Sequence, residues 1–207
     1  MQQLTSIIFI VIAYLIGSFP SGLVIGKGFF NTDIREHGSG NLGGTNAMRV
    51  LGKKAGLAVY FFDILKGGIV VLIAIHYETG LHPLVVAFFA IVGHLHPIFA
   101  SLRGGKAVAT TAGIIMFYAP ATFAILCVIF FGTLKIWKMI SLSSCLTATT
   151  VFFIVWINPY SNPNFYSPIT RAIFALVTLI ILLKHIPNFK RMIAGTESKV
   201  GKNSEQN

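Results

Sequence analysis

AVATTAGIIMFYAPATFAILCVIFFGTLKIW, residues 107–137, is the stretch on which the fold turns. It is about 30 residues of mostly apolar sequence, whereas a single helix needs about 20 to cross a bilayer. Pro120 lies near its middle. Proline lacks an N–H, and its ring clashes with the preceding helical turn, so a helix ends or kinks there. Two shorter helices, roughly 106–118 and 121–136, are therefore expected. A tight turn joins them, and Lys135 and Lys138 close the hairpin.

Five more apolar runs flank this pair, at residues 4–26, 57–75, 84–100, 140–157 and 168–183. Of the 207 residues 55% are hydrophobic and only 11% are charged, against about 25% charged in a soluble domain. The expected fold class is an all-α integral membrane protein, a bundle of seven transmembrane helices. One membrane-embedded domain over 1–195 is expected, with a polar, flexible tail at 196–207. The start of the chain has no charged n-region and no A-x-A site, so the first run reads as a retained helix. Asn158–Ser167 reads as a polar loop.

Splitting at Pro120 makes the charge pattern consistent. With seven helices, residues 27–56, 101–106, 135–138 and 184–207 fall on one side. They hold 14 of the 16 Lys and Arg residues. Cytoplasmic loops collect such residues, so these segments and the C-terminus are expected in the cytoplasm, with the N-terminus outside. The net charge of +10 thus points to topology and anionic lipid. The basic residues are scattered over short loops, which argues against a nucleic-acid partner. Cys127 and Cys145 lie in apolar runs and read as buried small hydrophobes.

Three polar segments on the cytoplasmic side carry the chemistry. The first, DIREHGSGNLGGTNAMRVLGKKAG (33–56), combines glycines with Ser39, Asn41, Thr45, Asn46 and Arg49. Glycine lets a backbone approach a ligand closely, and exposed N–H groups before a helix start suit an anion. The second runs from Gly93 and His94 to Gly104, Gly105 and Lys106. The third is HIPNFKRMIAGTE (185–197). Arg offers bidentate pairing to phosphate, and Lys a point charge. Positive-inside topology accounts for the number of cations, but not for the glycines, amides and histidines beside them.

There is no Walker signature, no HExxH, no GxSxG elbow and no acidic cluster suited to a metal. ATP hydrolysis and triad-based acyl transfer have no candidate residues, and neither a metal nor another cofactor is expected. Asp63 and Lys66 share one helix face inside a span and read as an ion pair that fixes packing. GSFPSG (17–22) reads either as a helix kink or as a contributor to the site. An anion transporter and a scaffold without chemistry are the rival classes. The polar clusters gather on one side instead of at the midplane, which disfavours transport.

Taken together, GSFPSG (17–22), residues 33–56, GHLHP with RGGKAVAT (93–110), SLSS (141–144) and residues 185–197 resemble the bacterial glycerol-3-phosphate acyltransferases that use acyl-phosphate, the PlsY family. The resemblance covers nearly the whole chain. It implies a seven-helix enzyme of the bacterial inner membrane with a cytoplasmic active site. Such an enzyme moves a fatty acyl group from acyl-phosphate to the 1-hydroxyl of glycerol 3-phosphate, in the first acylation of phospholipid synthesis. The implied partners are these two substrates and membrane lipid, with no obligate protein partner.

Carried over to this sequence, the catalytic residues are Ser39, Arg49, Lys106, His185 and Asn188. The substrate-binding residues are Gly40, Asn41, Thr45, Asn46, His94, Gly104, Gly105, Ser141, Arg191 and Glu197. Arg49, Lys106, Ser39 and glycine N–H groups are expected to hold phosphate oxygens and the developing oxyanion. His185, Asn188 and Arg191 are expected at the other phosphate. No side-chain base is obvious, so the hydroxyl proton is expected to go either to the departing phosphate or to a histidine, His94 or His185. Three positions depart from the family pattern, with Ala107 for Gly, His96 for Phe and Gly44 for Ala. The HxxxxD pair of acyl-thioester-dependent glycerolipid acyltransferases is absent.

Overall fold

The computed structural model describes residues 2–157 and 167–201, so nearly all of the Asn158–Ser167 loop and the last six residues lie outside it. The described residues form ten α-helices. In order they are α1 (Gln2–Gly17), α2 (Ser21–Phe30), α3 (Gly44–Leu51), α4 (Lys53–His76), α5 (Pro83–Leu95), α6 (Val108–Tyr118), α7 (Pro120–Trp137), α8 (Ile140–Ile157), α9 (Pro168–Lys184) and α10 (Ile186–Ile193). The helix expected to stop before Pro120 does so: α6 ends at Tyr118, and α7 begins at the proline, whose missing N–H costs nothing in a first turn.

Among the described residues, five apolar stretches are long enough to cross a membrane: Gln2–Phe30, Lys53–His76, Pro83–Ala100, Pro120–Trp137 and Ile140–Ile157. A sixth is counted when Pro168–Lys184 and Ile186–Ile193, bent by 49° at their junction, are taken as one. The 11-residue α6 is roughly 16 Å long, about half a hydrocarbon core. Large apolar side chains such as Ile7, Phe61, Val128 and Phe131 are exposed, as a lipid-facing surface requires.

By its contacts the chain divides into two compact units, Met1–Pro120 and Ala121–Asn207. In the first, α4 is the central helix and packs on α6, α3 and α5, while α1 packs on α5. Lipid tails are as apolar as leucine, so helix association depends on close packing. The α4–α6 crossing shows how this is achieved. A Cβ added at Gly67 would lie 2.1 Å from the Thr110 carbonyl, and one at Gly113 would lie 1.9 Å from the Ile64 carbonyl. The two backbones therefore touch.

A small core of Ile25, Ile34, Leu42, Ala47, Ala55, Val59 and Ala100 lies beneath the first glycine-rich loop. It ties that loop to α2, α3, α4 and the turn at Ile98–Ala100. In the second unit α8 packs on α9, and α10 follows α9 directly. The segment expected to be a flexible tail is tied down where it is described. Glu197 is hydrogen-bonded from three sides, and the Val200 N–H donates to the Lys138 carbonyl at 2.7 Å.

Candidate active site

The first glycine-rich loop is held from inside. Asp33 accepts the Arg35 N–H at 3.0 Å and caps the short turn Ile34–Glu36. The Arg35 guanidinium returns to Asp33 at 2.6 Å and also donates to the Ala100 carbonyl at 3.1 Å. The Arg35 guanidinium holds the Asp33 carboxyl well below the usual range, against the opposing effect of burial. Arg35 therefore braces the loop.

Asn46, on α3, is 1% exposed. Its Oδ1 accepts the Ser39 N–H at 2.8 Å, and its Nδ2 donates to the carbonyls of Ile34 (2.8 Å) and His37 (3.1 Å). Asn41 accepts the Gly43 N–H at 2.9 Å, and Thr45 hydrogen-bonds the Tyr60 hydroxyl. These three polar residues shape the loop. Ser39, Gly40 and Arg49 are exposed, and the Arg49 Nη1 lies 3.4 Å from the Asn46 Oδ1. The loop thus presents the Ser39 hydroxyl and the Arg49 guanidinium on a backbone that Asn46 fixes.

The second glycine turn folds back onto the end of α5. The Gly105 N–H donates to the His94 carbonyl at 3.0 Å. A Cβ at Gly104 would lie 2.0 Å from that carbonyl, and one at Gly105 would lie 2.0 Å from His94 Nε2. Any side chain would lift the turn off the histidine. Lys106 follows, and then Ala107, fully buried with φ 61°. That left-handed backbone is one glycine adopts freely and alanine adopts under strain. The departure from the family's usual glycine thus falls at a strained position. At Gly44, the family's alanine methyl would meet the Tyr60 ring at 2.6 Å, so the aromatic ring here requires the smaller residue.

Beneath this turn lies a buried charged cluster. Asp63 Oδ1 accepts from Ser21 Oγ at 2.7 Å and pairs with Lys66 Nζ at 2.9 Å. His94 Nδ1 faces the same oxygen at 3.6 Å. Lys66 also donates to the Phe19 carbonyl, at 3.1 Å, in the break between α1 and α2. The expected Asp63–Lys66 pair is present, and it has two further members. The GSFPSG segment is more than a kink, since it breaks the span and delivers Ser21 and the Phe19 carbonyl to the pair. Phe19, Ser21, Asp63, Lys66, His94 and Gly104 line one narrow cavity.

The second unit builds its own polar set. Glu197 accepts from Ser141 Oγ (2.7 Å), Asn188 Nδ2 (2.7 Å) and Arg191 Nε (2.8 Å). Local geometry explains the return of the chain. After α10 the N–H groups of Gly195 and Thr196 bond to the Met192 and Arg191 carbonyls, with Gly195 at φ 71°. Glu197 is thereby turned back onto the last helix. Burial works against its ionisation, but hydrogen bonds from Ser141, Asn188 and Arg191 outweigh it and lower the Glu197 pKa. His185 is buried, and its Nδ1 lies 2.7 Å from the Ile181 carbonyl. A carbonyl only accepts, so a neutral His185 carries its proton on Nδ1 and a lone pair on Nε2.

Within the first unit, Ser39, Asn46 and Arg49 meet at one loop, and His94, Gly104 and Gly105 meet at one turn. In the second unit, Ser141, Asn188, Arg191 and Glu197 meet around one carboxylate. Among the described residues, no group of three His, Cys, Asp or Glu side chains is placed to hold a metal ion.

Residues 7–195 match the glycerol-3-phosphate acyltransferase family. The chain belongs to that family. It is 45% identical over 192 residues to the glycerol-3-phosphate acyltransferase of Macrococcus caseolyticus, covering 92% of this chain and 95% of that one. The Bacillus subtilis glycerol-3-phosphate acyltransferase matches at the same identity and coverage. The crystal structure of PlsY, an integral membrane glycerol 3-phosphate acyltransferase, superimposes in its glycerol 3-phosphate form with a TM-score of 0.86. The identity is 30%, over 95% of this chain and 96% of that one. Its lysophosphatidic acid form gives a TM-score of 0.82 at 29% identity, over 95% of each chain.

For this acyltransferase-family chain, reasoning from sequence reached Ser21 only as part of the GSFPSG segment and missed Tyr60 as a member of the polar network. A serine next to a proline inside a span is a weak signal. Tyr60 carries none, because an aromatic residue in an apolar helix reads as lipid-facing or core.

Proposed function

We propose that the protein transfers a fatty acyl group from acyl-phosphate to the 1-hydroxyl of glycerol 3-phosphate, giving lysophosphatidic acid and inorganic phosphate. The observation that carries this is the match to the family over residues 7–195, with likeness to PlsY in both its glycerol 3-phosphate and its lysophosphatidic acid forms. The donor class is supported by the absence of an HxxxxD pair and by the phosphate-suited Arg49 and Lys106.

Acyl-phosphate is a mixed anhydride with a good leaving group. The glycerol oxygen attacks the acyl carbon, an oxyanion forms, and the bond to the phosphate oxygen breaks. The departing phosphate takes the hydroxyl proton. The protein's contribution is positioning and charge neutralisation. Ser39, Arg49, Lys106 and the main-chain N–H of Gly104 are assigned to phosphate and oxyanion, while the Gly40 and Gly105 N–H groups donate to the His37 and His94 carbonyls and hold the two loops in shape. Asn41, Thr45 and Asn46 act by holding the loop in shape. Ser141, His185, Asn188 and Arg191 are assigned to substrate binding in the second unit, with Glu197 orienting three of these donors. Neither a metal nor another cofactor enters the reaction.

The same reading places the enzyme in the bacterial inner membrane, with seven crossings, the N-terminus outside and the C-terminus in the cytoplasm. The distribution of Lys and Arg supports this. Counting α6 as a crossing requires non-helical backbone at membrane depth, which is tolerated where protein buries it. One acyltransferase domain over 1–195 belongs to this proposal, and so does independence from an obligate protein partner.

The experiment is substitution of the two cations. Arg49→Ala and Lys106→Ala each nearly abolish acyl transfer while the protein stays folded in detergent. Normal turnover in both variants would overturn the reading.

A further inference from the structure

The buried cluster of Ser21, Asp63, Lys66 and His94 is more elaborate than helix packing requires. Charges inside a membrane protein are costly to keep. A buried ion pair is often no more stabilising than apolar residues of the same size. Yet Asp63, Lys66 and His94 are 1%, 5% and 6% exposed, and three segments of chain converge on them. The break at Phe19–Ser21 supplies a carbonyl and a hydroxyl, α4 supplies the ion pair, and α5 supplies the histidine.

His94 is the member that touches the site. Its main-chain carbonyl accepts the Gly105 N–H at 3.0 Å. Its Nε2 edge lies against Gly105, where a Cβ would approach to 2.0 Å. Its other ring nitrogen, Nδ1, faces Asp63 Oδ1 at 3.6 Å, within ion-pair range. The imidazole is therefore wedged between a carboxylate and the glycine turn. With Gly105 against its Nε2 edge, it is placed to support that turn and not to take a proton from a substrate.

We propose that Asp63 is a positioning residue for the transfer reaction. Held by Lys66 and Ser21, it fixes the His94 ring, and the ring fixes the Gly104–Gly105 turn from which Lys106 reaches the substrate phosphate. The cluster acts on catalysis through the turn that carries Lys106. This rests on the acyltransferase reading given above.

Coupling between the cluster and Lys106 distinguishes this role from a merely structural one. Residues acting through one another give non-additive effects, whereas independent sites add. The test is a double-mutant cycle on purified full-length protein, with kcat/KM for glycerol 3-phosphate measured at saturating palmitoyl-phosphate. His94→Gln is combined with Lys106→Arg, which keeps a cation and measurable turnover. In the parent, His94→Gln is expected to lower kcat/KM by about tenfold or more, and in the Lys106→Arg background by no more than about threefold.

Equal losses in the two backgrounds would overturn the proposal, because lost folding at His94 would be indifferent to Lys106. If His94→Gln does not accumulate in the membrane, Ser21→Ala enters the same cycle with the same expectation. It removes a single hydrogen bond to Asp63. No turnover in the unmodified protein would instead refute the acyltransferase reading itself, so the two failures are distinct.

Discussion

The Asn46 carboxamide accepts the Ser39 main-chain N–H at 2.8 Å while its amide nitrogen donates to two carbonyls on the far side of the loop. A side chain placed among the substrate contacts by its motif is thereby a strut, and Ser39 is aimed by it. Asn46→Asp would set a carboxylate against the Ile34 and His37 carbonyls. The expected cost is about 2–4 kcal/mol, that of burying groups left without partners. Thermal unfolding in detergent measures it. Asn46→Ala is expected to cost about 1–3 kcal/mol by the same account. Activity should fall with both, and an unchanged melting temperature for Asn46→Asp would contradict the account.

The seat of the second turn is equally specific. Gly105→Ala places a methyl within 2.0 Å of His94 Nε2, where one of the two must move. A misplacement of about 1 Å near a reacting group costs about 10²-fold in rate. Steady-state kinetics should show a loss of that order in kcat/KM for glycerol 3-phosphate. Gly132→Ala serves as control, because nothing lies within 4 Å of a Cβ there.

Acid stability follows from Glu197 and Asp33. Both carboxyls are lowered in the folded protein, Asp33 chiefly by Arg35 and Glu197 by its three donors against the cost of burial. A group with a depressed folded pKa contributes stability above its unfolded pKa and loses it as pH falls through the folded value. For Glu197 the ordinary value is 4.5. The contribution of these two carboxyls to melting temperature should therefore be constant above about pH 5 and fall below it. In Glu197→Gln that fall should be shallower and the neutral-pH stability lower.

Ala107 supplies a test in the stabilising direction. It sits at φ 61° with no exposure. Ala107→Gly should relieve left-handed strain and raise stability by about 1 kcal/mol. A differential scan in detergent would register this. Ala107→Val should instead destabilise, since a β-branched residue resists that conformation more strongly.

Much of the fold was legible in the chain, for a stated reason. The apolar spans and the break at Pro120 follow from composition and proline stereochemistry, which are local. The boundary between α6 and α7 accordingly falls at Ala119, between the two expected helices. The helical form of the short amphipathic α10 is not legible within the polar segment 185–197, because eight residues give too little periodicity. The Asp63–Lys66 pair was visible because i, i+3 spacing is local. Its extension to Ser21 and His94 was not, because those residues lie 42 and 31 positions away and meet only after α2, α4 and α5 pack. The convergence of Ser141, Asn188 and Arg191 on Glu197 was hidden for a different reason. Motif residues of one polarity suggest a shared ligand, and sequence spacing does not reveal that the chain supplies an acceptor of its own.

The central claim is that an acyl group passes from acyl-phosphate to glycerol 3-phosphate. Its most direct test gives purified protein in detergent glycerol 3-phosphate with either palmitoyl-phosphate or palmitoyl-coenzyme A, and quantifies lysophosphatidic acid and inorganic phosphate. The predicted result is equimolar lysophosphatidic acid and phosphate from palmitoyl-phosphate, with no product above background from the thioester. Product from the thioester alone, or no phosphate release from palmitoyl-phosphate, would contradict the account.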